Sequence, residues 1–182
     1  MYVLSIESFY IPLHEGVVSA ERSDFSNNKI NISEVILMVR LDLESSIAIT
    51  QAAFGKSREL SAAPLTVAIL DSAGKLISLQ RQDGSSMLRP DIAIGKAWGA
   101  VAMGKSSREL GRDALERPAF VSSLTTLAQG HLVPVAGGVL VRNSDNEVVG
   151  AVGISGDLSD VDELCAITGI QAAGLIADAG TV

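Results

Sequence analysis

The stretch from Gly99 to Ser106, Gly99-x-x-x-x-Gly104-Lys105-Ser106, carries the spacing of a phosphate-binding loop. Such a loop binds nucleotide because it leaves a buried strand and opens a helix, so that its backbone N–H groups converge on the phosphates. The context here is different. Upstream, "RPDIAIGKAW" puts Ile94, Trp98, Val101 and Ala102 at helical spacing. The "AVAM" between the glycines also suits a packed helix. Gly104 therefore reads as a helix C-cap and Ser106 as the N-cap of the next helix, with Lys105 in the turn between them. Another imitation, "VAILD", ends at Asp71 and resembles the magnesium-side strand of nucleotide enzymes. It runs at once into "SAGK" and another strand, so Asp71 is read as a turn residue.

Acid–base chemistry has a different set of candidates. Asp83, Asp91, Arg117 and His131 all fall in or beside loops, where a small carboxylate or aromatic substrate could reach them. The catalytic reading takes His131, Arg117 and Asp91. As a neutral imidazole, His131 could bind a metal or shuttle protons. It equally suits an ordinary loop position beside a helix end, where the carbonyls favour its cation. The sequence specifies no metal, because no cysteine or carboxylate cluster accompanies that histidine. No G-x-S-x-G elbow occurs. The single Cys165 excludes an internal disulfide and sits in an apolar helical pattern, where it packs.

The binding candidates are Lys96, Trp98, Val135, Gly137, Gly138, Ser155 and Gly156. Lys96 interrupts an apolar helix. It is either a solvent-facing lysine whose stem lies along the surface, the reading favoured here, or a cation at a pocket for an anion. Gly137 and Gly138 permit a bulge or a close backbone approach, and a ligand on the sheet would touch them. Amides around Ser155 and Gly156 lead into a helix and could hold a carboxylate or phosphate. The simpler reading there is capping by Ser159.

The elements that must position these residues follow from local signals. Asp42 N-caps a helix through "LESSIAITQAAFGKSREL". "LTVAIL" and "KLISLQR", joined by "DSAG", form a hairpin, with Gly74 available for positive φ. Pro90 opens a helix that runs to about Met103, and Ser106 with Glu109 is a capping box. Pro118 to Gln129 is helical and closed by Gly130. "LVPVAGGVLVRN" and "VVGAVGIS" form a second hairpin around "NSDNE". "SDVDELCAITGIQAAGLIADA" is a final helix, capped by Ser159 and Asp162. Its apolar stripe is Val161, Leu164, Cys165, Thr168, Ala172, Leu175 and Ile176. Consecutive strands joined by tight turns give an antiparallel sheet, so the class is α+β.

The bulk numbers agree. A chain of 182 residues suits one domain with a sizeable core. Apolar residues are 47% and aromatics 4%, so the core is aliphatic, and surface buried between subunits is expected. A net charge of −7 and no basic stripe argue against nucleic acid. No long apolar run predicts a membrane span. The N-terminus lacks a basic leader, so the cytoplasm is the expected location. Residues 1–32 differ in composition and are read as an extension, with a single domain over 33–182.

Four stretches, in order and spacing, resemble the haem-binding/GlcG-type family, which includes HbpS proteins and the C-terminal domain of PduO-type proteins. They are "LTVAILDSAGKLISLQRQDG", "DIAIGKAWGAVAMGKSSREL", "RPAFVSSL" and "LVPVAGGVLVRNSDNEVVGAVGISGDLSDVDE". The resemblance covers about residues 43–178. It implies a profilin-like or PAS-like fold, a five-stranded antiparallel sheet flanked by helices, and a homo-oligomer, either a dimer or an octamer. It also implies haem as a candidate cofactor. His14 lies outside the resemblance, so among histidines only His131 is open to iron ligation. The resulting expectation is a small-ligand-binding protein for haem or another planar or anionic metabolite. Its pocket would lie between the sheet, the 90–104 helix and the "VPVAGG" segment. The alternatives are an enzyme acting through His131, Arg117 and Asp91, and an assembly partner that stabilises another enzyme.

Overall fold

The computed structural model describes residues 41–180. The expected extension over residues 1–32, and His14 with it, lies outside the described residues.

Asp42 caps α1 (Leu43–Glu59) as expected. Its carboxylate accepts from the Ser45 amide at 2.9 Å, and the Ser45 hydroxyl accepts from the Asp42 amide. The hairpin β1 (Thr66–Asp71) and β2 (Leu76–Arg81) turns where Asp71 Oδ1 accepts from the Ala73 and Lys75 amides, with Gly74 at φ +72°. Pro90 lies in the first turn of α2 (Arg89–Met103), which ends on Gly104 at φ +64°. Ser106 and Glu109 then form the capping box of α3 (Ser107–Glu116). Helix α4 (Pro118–Leu127) is followed by Gly130 at φ +83°. Strands β3 (Gly138–Arg142) and β4 (Val148–Ser155) precede α5 (Ser159–Ala172) and β5 (Ile176–Asp178).

The five strands form one antiparallel sheet in the order β2-β1-β4-β3-β5, and the fold is α+β. One face is covered by α1 and α5, whose Ile49, Ala53, Cys165 and Ile170 pack on Val67, Ile69, Val139 and Val152. The other face carries α2, with Ala93, Ala97 and Ala100 against Ala68, Leu70, Leu140 and Ala151. Alanines on this helix face allow a close approach, and two glycines complete it. Gly138 and Gly153 are register partners on β3 and β4. A Cβ on Gly153 would strike the Ala93 carbonyl, and one on Gly138 the Lys96 carbonyl.

The final helix departs from the sequence-based expectation in three ways. It stops at Ala172, Gly174 turns the chain at φ +75°, and Ile176–Asp178 pairs with β3 as an edge strand. Its N-cap is Leu158 and no side chain caps it; Asp162 Oδ1 instead accepts from the Asp157 amide at 3.0 Å. Its buried face holds Asp162, Cys165, Ala166, Gly169 and Ile170, while Leu164 is exposed. The expected stripe is thus offset, because the buried residues of this helix include Asp162, Glu163 and Gly169, which an apolar period does not pick out.

Asp157 ties the start of this helix to the segment before β1. Its carboxylate accepts from the Ala63 amide at 2.6 Å and the Leu158 amide at 2.7 Å. These amide hydrogen bonds, Ala63 first, hold its carboxyl below the ordinary value of 3.8. A carboxyl depressed in the folded state contributes stability that is complete above its unfolded value and is lost as pH falls through the folded one. Urea titrations from pH 6 downward should therefore show stability falling below about pH 4. Asp157→Asn should flatten that slope; an unchanged slope would show that these hydrogen bonds do not couple to folding.

Candidate functional site

The phosphate-loop pattern is dissolved by the fold. Gly99 lies inside α2, Gly104 ends it, and Ser106 starts α3. Lys105 pairs with Asp113 at 2.6 Å.

Lys96 contradicts the expectation of a solvent-facing lysine. Only 3% of its side chain is exposed, and Nζ donates to Asp162 Oδ2 at 2.8 Å and to the Ile154 carbonyl at 2.9 Å. Burial lowers the Lys96 pKa and raises that of Asp162, and the attraction between the two charges opposes both shifts. Gly137, at φ +116°, leaves room for this pair: a Cβ there would lie 2.8 Å from Lys96 Nζ. Gly137 and Gly138 thus admit the chain's own α2, not an open ligand surface. Ser155 is buried and accepts from Arg89 Nη1 at 3.1 Å, and Gly156 lies beneath Pro64 and Leu65. The space expected between sheet and α2 is therefore filled.

The acid–base candidates stay apart. Arg117 pairs with Asp113 at 2.7 Å and lies over the Phe120 ring at 4.9 Å. His131 is exposed and its ring lies 6.0 Å from that of Trp98. Asp91 is exposed in the first turn of α2, about 10 Å along the helix from Trp98. No hydrogen bond or ion pair joins any two of the three among the described residues. Cys165 is buried and its thiol is pushed up to about 11, chiefly by desolvation, as suits a packed residue.

Of the binding candidates, Val135 lines an open groove. The groove, of about 480 Å³, runs between α3, the segment before β3 and the start of α5. Its apolar wall is Leu115, Pro134, Val135 and Ala136; Arg108, Arg112 and Asp160 line its charged edge. Arg108, Arg112 and Leu115 share one helix face by i, i+4, i+7 spacing, a signal that the sequence carries and that the search for acid–base residues passes over. Arg108 Nε donates to Glu163 Oε2 at 2.7 Å, and Nη2 lies 2.5 Å from Asp160 Oδ1. These carboxylates raise the guanidinium pKa and fix its plane. Glu163 Oε1 is buried and has no hydrogen-bond partner among the described residues. A second, smaller apolar groove of about 160 Å³ lies beside Trp98, Met103, Leu124, Leu127 and Leu132.

Haem makes two demands on a site, and the Val135 groove meets one of them. Its wall and its arginines fit a flat macrocycle bearing carboxylates. None of the described residues that line it is a histidine, cysteine, methionine or tyrosine, so these offer no strong axial ligand to iron.

Sheet order places the chain among single-sheet α+β domains. It belongs to the family described as haem degrading protein HbpS-like, whose model matches residues 41–171. It is 29% identical over 142 residues to a 15.0 kDa protein from the dhaT-dhaS intergenic region of Citrobacter freundii, covering 78% of this chain and 96% of that one. It is 31% identical over 134 residues to the corrinoid adenosyltransferase PduO of Salmonella typhimurium, covering 74% of this chain but only 39% of that enzyme. Among solved structures, the PduOC:heme complex is similar with a TM-score of 0.68 and 28% identity, over 75% of this chain and 96% of that one. No described helix is long and apolar enough to cross a membrane.

Proposed function

We propose that the Val135 groove binds a planar, carboxylate-bearing macrocycle of the haem class. The carrying observation is the groove itself: about 480 Å³, an apolar wall and arginines supplied by one helix face. That volume lies within the range of small-ligand sites, roughly 300–1,000 Å³, whereas the groove beside Trp98 falls below it. The family description and the haem complex of a similar structure support the same ligand class. Leu115, Pro134, Val135 and Ala136 would hold the ring, and Arg112, with Arg108 held beside it by Glu163 and Asp160, would face its carboxylates. Bound iron would bring its own redox chemistry; the protein's share is to hold and partly shield the ring. A single domain over 33–182, a homo-oligomer and a cytoplasmic location belong to this reading.

Because the groove recognises ring and carboxylates, haemin and iron-free protoporphyrin IX should both bind saturably, with affinities within about tenfold, or 1.4 kcal/mol, of each other. Absorbance and fluorescence titrations measure this. Leu115 is 84% exposed, so Leu115→Asp should fold normally and weaken both ligands by about tenfold or more. His131→Ala should leave both unchanged. Failure of either porphyrin to saturate would end this reading; loss in His131→Ala alone would move the site to the Trp98 groove.

A further inference from the structure

A third cleft, sharing no lining residue with the Val135 groove, lies where the end of α1 meets the end of β2. It encloses about 490 Å³ and is lined by Ser57, Arg58, Ala62, Arg81, Gln82 and Asp83, among others. Neither Arg58 nor Arg81 has an ion-pair partner among the described residues, on a chain whose net charge is −7. Two guanidiniums line one cleft with a single carboxylate, Asp83, beside them among its described lining residues, a balance that favours an anionic ligand.

Gln82 adds an oriented donor. Its Oε1 accepts from the Leu65 amide at 2.7 Å. A backbone N–H can only donate, so that contact fixes which end of the side-chain amide is oxygen. Nε2 is thereby left with both hydrogens and no partner among the described residues. The loop that closes the cleft is held in an uncommon conformation, with the non-glycine Ser61 at φ +54°. Its amides are already used: Ala62 donates to the Ser57 carbonyl and Ala63 to Asp157. The ligand must therefore be met by side chains, and those with capacity to spare are Arg58, Arg81 and the Gln82 amide.

We propose that this cleft binds a small metabolite carrying phosphate or several carboxylates. Its oxygens accept from both guanidiniums and from Gln82 Nε2, and Asp83 faces a hydroxyl or amine on the same molecule. The cleft is larger than one inorganic anion requires and lies in the small-ligand range.

The test is a titration of the full chain, followed by amide chemical shifts, with inorganic phosphate and separately with citrate. Ionic strength is matched with sodium chloride. The expected result is a saturable shift with at least one of them at Arg58 and at Arg81 to Asp83, and none with chloride. Arg58→Gln/Arg81→Gln should keep the native spectrum and weaken that binding by about tenfold or more, since charge-assisted hydrogen bonds are lost. Porphyrin binding should be unchanged in the same variant, so failure here leaves the first groove untouched. No saturable shift with either anion, or shifts that persist in the double variant, would overturn the proposal.

Discussion

Lys96→Met should destabilise the protein by about 3–5 kcal/mol, because it strands the Asp162 carboxylate in the interior. Asp162 is 1% exposed, and its oxygens are held by Lys96 and the Asp157 amide. Removing the ammonium leaves a buried charge with a single hydrogen bond, or forces the carboxyl to take up a proton. In a domain of this size the melting temperature should drop on the order of 10 °C. The double variant Lys96→Met/Asp162→Leu should recover much of the loss, since an apolar pair of similar volume needs no desolvated charges. It should still fall short of the parent by about 1–3 kcal/mol, because the Asp157 amide and the Ile154 carbonyl each lose a hydrogen bond. Urea denaturation of the three proteins reads the cycle. If Lys96→Met lies within about 1 kcal/mol of the parent, the pair is solvated and the interior is not as dry as its burial implies.

Gly153→Val should be similarly severe. A Cβ at residue 153 meets the Ala93 carbonyl and approaches the Ala97 amide at 2.9 Å, and neither backbone group can swing aside. Helix α2 would have to lift from the sheet, opening its alanine contacts with Leu70, Leu140 and Ala151. Ordinary overpacking costs about 1–3 kcal/mol; contact against backbone puts this variant at or beyond the upper end. Gly104→Ala is the control. Nothing lies within 4 Å of a Cβ there, so only the left-handed conformation is penalised, by about 1–2 kcal/mol. Comparable losses in the two variants would refute the close approach of helix and sheet.

Glycines 104 and 153 also differ in how far a sequence can explain them. Capping boxes at Asp42 and Ser106, the Asp71–Gly74 turn and the Gly104 stop are short-range devices, and each is visible within a few residues. They are enough to reject the phosphate loop, because a helix on its upstream side settles where its amides point. The five-stranded sheet is implied by the family resemblance, but its last strand is hidden. Leu175 and Ile176 continue an apolar period, and the glycine that ends the helix sits among other small residues.

What the sequence by itself determined is the local elements up to the final helix, the antiparallel class of the sheet and the family the chain belongs to. These rest on contacts between near neighbours or on matching stretches of residues. Only the tertiary structure decided the fate of the polar side chains. Lys96 and Asp162 are 66 positions apart, Arg108 and Glu163 are 55 apart, and no periodicity announces such pairs. Whether a lysine faces water or a carboxylate, and whether a glycine admits a ligand or a neighbouring helix, depends on what the fold brings opposite it. That partner comes from elsewhere in the chain, and one-dimensional spacing carries no record of it.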